Sequence, residues 1–173
     1  MNSELRREQI LNIIRQQKSP ISATVLAKEL NVSRQVIVGD VAYLRAQGNE
    51  IVATARGYLM PELIGNPNSY FGKVACRHTR EYTKPELYTM VDLGATVVNV
   101  IVEHELYGEL TGGLNLASRE DVDAFFKKAE SSNIKLLSEL TMDVHLHTIA
   151  CRDKFHFEQV CNALEKNGYL FQN

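Results

Sequence analysis

The chain has 173 residues, of which 45% are apolar and 23% charged, and a net charge of −2. That suffices for one sizeable core or two small ones. No apolar run approaches the roughly 18 residues of a membrane span, and the charged N-terminus lacks the apolar core of a signal peptide. Three cysteines without a CxxC spacing argue against a disulfide framework and fit a reducing cytoplasm.

In chain order, Ser3 is placed to cap a first helix in which Leu5, Ile10, Ile13 and Ile14 recur at helical spacing, closed by Lys18, Ser19 and Pro20. Ser22 caps a second helix with Ala23, Leu26, Ala27 and Leu30 inside. After a tight turn at Asn31 and Val32, Ser33 caps a third, with Ile37, Val41 and Leu44 inward and Gly48 as its stop. Three short helices, the last two joined by a tight turn, predict a helix-turn-helix. Two short strands around Thr54–Gly57 then make a hairpin, the wing of a winged helix.

In such a head the third helix enters the major groove N-terminus first, which puts Ser33, Arg34 and Gln35 within reach of phosphates and base edges. Arg56 at the wing tip is placed for the backbone or minor groove. Each has a plainer role available: Ser33 as a helix cap, Arg34 and Gln35 as a solvated face, Arg56 as a turn residue. Residues 1–60 hold eight Lys or Arg against five acids, a net +3, while the remainder nets −5. The sign suits a head that approaches phosphates.

Two prolines, two asparagines and a glycine between 61 and 68 mark a boundary. The expected organisation is a DNA-binding head over 1–62, a linker over 63–69 and a body over 70–173. In the body, strands are expected over 70–78, 96–104, 107–114, 143–151 and 169–171, and helices over 83–93, 118–131 and 153–167. This is an α+β arrangement with helices on one face. Two helices begin with capping-box spacing, Thr83 with Glu86 and Ser118 with Asp121, so Glu86 has a structural role in view.

The pair His145 and His147 lies in the apolar run Val144–Ile149. On a strand, the period of two turns both imidazoles to one face about 6 to 7 Å apart, able to share one metal ion. By the same alternation they share their face with Ile149 and Cys151, and His78 shares one with Cys76. Spacing alone does not bring His78 to the pair. Three imidazoles with a carboxylate suit zinc, nickel or ferrous iron rather than calcium or magnesium. His104 reads as a solvated strand-end residue, His156 as helix packing, and Cys76 and Cys151 as small buried residues.

The segments SRQVIVGDVAYLRAQG and ATARGYLM in the head, with ACRHT, VDLGATVVNVIVEHELYGEL, LTGGLNL and VHLHTI in the body, are similar to the niacin-responsive transcriptional repressors, the NiaR family. The resemblance covers nearly the whole chain and rests on several separated motifs in order. It implies a biotin-repressor-type winged helix joined to a 3H domain that holds one transition-metal ion (nickel, zinc or iron) through His78, Glu86, His145 and His147. Glu86 gains that role from the resemblance alone. It further implies nicotinic acid as co-repressor, double-stranded operator DNA as target, control of NAD synthesis or niacin uptake genes, and a homodimer. By position, Arg80 is the arginine best placed to take the effector's carboxylate, because alternation turns Arg77 and Arg152 away from the histidine face. A rival reading from the residues is a metal-dependent hydrolase, since such a site with an open position activates water. No general base with supporting spacing accompanies it.

Overall fold

The first helix, α1 (Ser3–Gln16), is capped by Asn2 rather than Ser3: the Asn2 side chain accepts the Leu5 N–H at 2.9 Å. Leu5 then falls in the solvated first turn, half exposed, while Ile10 and Ile14 are fully buried. Helix α2 (Ala23–Glu29) and helix α3 (Arg34–Ala46) are capped as expected, by the Ser22 and Ser33 hydroxyls on the Val25 and Val36 N–H groups. Between them Asn31 takes a left-handed conformation at φ 52°, and the Val32 N–H returns to the Ala27 carbonyl. Asparagine is among the few side chains that tolerate this turn. The helices close on Ile10, Ile14, Leu26, Ile37, Val41 and Leu44.

A two-residue turn joins β1 (Val52–Thr54) to β2 (Gly57–Leu59). Ile21 bonds Tyr58 in both directions, at 2.9 and 2.8 Å, and ties the hairpin to the segment before α2. Gly57 lies under that contact at φ 130°, where a Cβ would sit 2.4 Å from the Ile21 carbonyl oxygen. Asp40 is buried on α3 and accepts from Arg6 Nε at 2.6 Å and Arg7 Nε at 2.9 Å. Burial raises the Asp40 carboxyl, but the two arginines outweigh it and hold it below the usual range. Two of the head's eight cations are thus spent on its own α1–α3 contact.

The computed structural model describes residues 2–172, in two units that divide between Ile64 and Gly65. Among the described residues no helix is long and apolar enough to cross a membrane. The second unit runs β3 (Tyr70–Arg77), α4 (Thr83–Asp92), β4 (Thr96–His104), β5 (Gly108–Leu116), α5 (Arg119–Ser131), β6 (Val144–Cys151) and α6 (Lys154–Lys166). The sheet order is β3-β6-β4-β5, with every pairing antiparallel. Helices α4 and α6 pack on the sheet and α5 beside α4. The Phe157 ring of α6 occupies the space that a side chain at Gly72 would need.

Two local expectations change. Thr83 does not cap α4, because a 3₁₀ turn over Arg80–Tyr82 runs straight into the helix with Tyr82 already helical. Glu86 is therefore not half of a capping box and turns inward. The expected last strand is reduced to one bridge, Leu170 to Cys76, flanked by the bonds Arg77 N–H to Tyr169 and Phe171 N–H to Ala75. An unforeseen 3₁₀ turn spans Leu137–Leu140.

Replacing Gly57 by alanine should destabilise the head by about 1–3 kcal/mol through backbone strain and the clash at Ile21. Hydrogen exchange of the full chain checks this: residues 3–60 should lose protection while 70–170 keep theirs.

Candidate metal centre

The cluster forms because β6 is an interior strand whose alternation turns His145 and His147 beneath α4. Glu86, the fourth residue of α4, is fully buried between them. Its Oε1 lies 3.2 Å from His145 Nε2, and its Oε2 lies 2.8 Å from His78 Nε2 and 3.5 Å from His147 Nε2. His78 follows the end of β3, and its side chain is only 4% exposed. Successive ring centroids, His78 to His145 and His145 to His147, are 4.9 Å apart and edge to face.

The opposite ring nitrogens explain the chemistry. His145 Nδ1 donates to the Asp143 carbonyl at 2.8 Å, His147 Nδ1 to the Asn99 carbonyl at 2.8 Å, and His78 Nδ1 to the Thr79 carbonyl at 3.0 Å. A proton on each Nδ1 leaves each Nε2 of a neutral ring as an acceptor, facing a carboxylate that only accepts. His78 Nε2, His147 Nε2 and Glu86 Oε2 are buried without a hydrogen-bond partner. Burying such atoms unmatched costs about 1–3 kcal/mol each, so the cluster requires a cation or added protons.

A transition-metal ion fits. Nitrogen and oxygen ligands bound at about 2.1 Å stand about 3.0–3.4 Å apart around one ion, close to the separations here. The donor set of three imidazoles and one carboxylate suits zinc, nickel or iron. Histidines that donate their second nitrogen to backbone carbonyls have the orientation metal ligands require. Without a metal, burial raises the Glu86 carboxyl, but once the rings take up a proton at Nε2, attraction to His147 and the contacts of all three imidazoles hold it well below the usual range. Burial lowers His78, and the Glu86 carboxylate outweighs burial, so that imidazole keeps its proton to higher pH than usual.

The groups that orient the rings were not visible as a motif. At Val98 the register of β4 shifts, and Asn99 next to this bulge has two tasks. Its carbonyl takes the His147 proton, and its side-chain oxygen accepts the Thr148 N–H at 3.0 Å. Bulges of this kind re-aim groups next to functional sites. Met142 and Asp143 both have positive φ, 54° and 68°, which aims the Asp143 carbonyl at His145. Cys76, the cross-strand neighbour of His145, is fully buried, with its sulfur within 4.8 Å of the Glu86 and His145 ligand atoms. Burial and the adjacent carboxylate push that thiol far up, which keeps it protonated in the metal-free cluster.

The other candidates are placed as follows. His156 is a buried packing residue, accepting the Arg152 N–H and donating to the Leu93 carbonyl. His104 Nδ1 accepts the Leu106 and Tyr107 N–H groups and closes the hairpin turn. All three cysteines are free thiols. Arg80 lies in the 3₁₀ turn after His78 but donates from Nη1 to Glu139 at 2.8 Å and to the Ile134 carbonyl at 3.2 Å. In the head, Ser33 caps α3, Arg34 and Gln35 are exposed in its first turn, and Arg56 sits in the hairpin turn.

A winged helix-turn-helix joined to an α+β unit with a buried three-histidine, one-carboxylate cluster defines a two-domain DNA-binding regulator. Residues 6–59 match an HTH domain model and residues 71–173 match the 3H domain. The transcription repressor NadR of Bacillus subtilis is 41% identical over 169 residues, 97% of this chain and 94% of that protein. The probable transcription repressor NiaR of Thermotoga maritima is 42% identical over 167 residues, 96% and 94% of the two. The chain belongs to this NadR/NiaR family of transcription repressors, which places it among DNA-binding regulators and not among hydrolases.

Zinc or nickel titrated into chelator-treated full-length protein should bind one ion per chain near neutral pH, and His145→Ala should weaken binding by on the order of 100-fold. Protons compete for Nε2, so uptake should fail as pH drops through about 6.5. The raised His78 value moves the onset of that failure to higher pH. Ion uptake that persists undiminished at pH 5 contradicts this donor set.

Proposed function

We propose that this chain is a metal-dependent, nicotinic-acid-responsive repressor of NAD biosynthesis or niacin uptake genes, acting as a homodimer in the cytoplasm. The observation that carries the reading is the convergence of three imidazole acceptors on one buried carboxylate. Its donor set calls for a cation, and the relatives are named as transcription repressors. His78, Glu86, His145 and His147 hold the ion, which supplies a Lewis-acid position for the ring nitrogen or carboxylate of nicotinate.

The chain's own groups supply the rest. Backbone carbonyls of Thr79, Asn99 and Asp143 hold the rings in their ligating tautomer. Arg80 faces the effector's carboxylate as a competitor of Glu139, so effector binding exchanges one carboxylate partner for another. In the head, Ser33, Arg34 and Gln35 face the major groove and Arg56 the backbone or minor groove. Effector binding acts by favouring the mutual orientation of two heads that matches the operator half-sites.

Operator binding measured with and without nicotinic acid tests the reading. In the His145→Ala, His147→Ala double variant, nicotinic acid should no longer strengthen operator binding, while the basal affinity of residues 1–60 remains. Undiminished co-repression in that variant contradicts the proposal.

A further inference from the structure

One face of the second unit's sheet carries α4, α6 and the histidine cluster. Alternation puts Phe71, Lys73, Ala75 and Arg77 of β3 on the other face, because their neighbours Tyr70, Gly72 and Cys76 meet Phe157 and the cluster. The pairing registers align Ala75, Leu146, Ile101 and Thr111 in one row across this face. Two residues on, Arg77 pairs with Val144 and Glu103 with Glu109, at the same level on β3-β6 and β4-β5. That row reads cation, apolar, acid, acid. Arg77, Glu103 and Glu109 are exposed and enter no ion pair among the described residues. A hollow of about 570 Å³ lies beside the acids at this end of the sheet, lined by Glu103, Glu109, Val144 and Leu146 and also by Val102 and His145, whose side chains belong to the cluster face.

The geometry points to this face as the contact with a second copy of the chain, related by a two-fold axis parallel to the strands between β6 and β4. This rests on the reading of the protein as a homodimer and names its interface. Strands lie about 4.8 Å apart, so Arg77 on β3 and Glu109 on β5 stand about 7 Å to either side of that axis. The two-fold lays each Arg77 over the Glu109 and Glu103 of the other copy, at the mouth of the acidic hollow, and brings each half-buried Leu146 over the other copy's β4, where Ile101 is itself only 4% exposed and adds little contact area. An axis across the strands would stack arginine on the basic edge and acid on acid. Charge therefore selects the first arrangement, and aligned sheet faces pack in this way. Four strands by about eight residues cover roughly 500 Å² per copy, near the lower limit for a specific interface. The contact is expected to be salt-sensitive and not obligate.

Sedimentation equilibrium of the full chain tests it with Arg77→Glu and Glu109→Arg. Each variant alone replaces attraction by repulsion at both symmetric contacts and should raise the dimer Kd on the order of tenfold. An equimolar mixture of the two should recover wild-type association, because each mixed dimer has opposite charges at both contacts. Arg77→Gln and Glu109→Gln, read as loss of salt sensitivity, serve where a reversed charge unfolds the chain. A wild-type dimer that both variants leave unchanged overturns this interface while leaving a dimeric repressor standing. Weakened single variants without recovery in the mixture overturn the pairing. A wild-type protein that stays monomeric overturns both the interface and the dimer.

Discussion

A carboxylate buried among three imidazole nitrogens, with no proton donor between them, is the constraint on which the second unit depends. Glu86 is fully buried, and the hydrogen bonds on the far sides of the rings leave the Nε2 atoms around it as acceptors whenever the rings are neutral. An arrangement of this kind is unfavourable for a bare polypeptide, since an ion taken from water and left unmatched costs several kcal/mol. A cation at the centre turns the same geometry into mutual attraction. The cluster therefore calls for positive charge at its centre, from a cation or from protons taken up by the rings.

That requirement accounts for features that have no other evident purpose. The bulge at Val98, the two left-handed residues Met142 and Asp143, and the 3₁₀ turn leading into α4 each depart from regular structure. Each sets a backbone carbonyl or the carboxylate itself against a histidine. Local strain of this sort persists where surrounding structure over-determines it, and it gathers at functional sites. In the head the equivalent constraint is the Asp40 pair with Arg6 and Arg7, a structural tie that takes two cations away from any role at phosphates.

Much of this architecture was legible in the residues, for identifiable reasons. Caps at Ser22 and Ser33 and the strand period at His145 and His147 are local signals, and local geometry follows from them. Asn2 displaced Ser3 as the first cap because both residue types suit the position and one step of register separates them. Glu86 was legible only through family resemblance. Its spacing from Thr83 fits a capping box, and burial against a strand some sixty residues away leaves no trace in spacing. The Asn99, Asp143 and Thr79 carbonyls were invisible because every residue has one. Arg80 follows His78 by two residues, which alone suggests it for the effector, but its engagement with Glu139 is a long-range pairing that periodicity cannot reveal.

The central claim is that a metal held by the buried cluster creates the effector's binding position. Calorimetric titration of nicotinic acid into the full chain, before and after chelation, tests it most directly. The account predicts saturable binding at one site per chain in the metal-loaded protein, lost on chelation and restored when nickel or zinc is returned. Equal binding by loaded and chelated protein would contradict it.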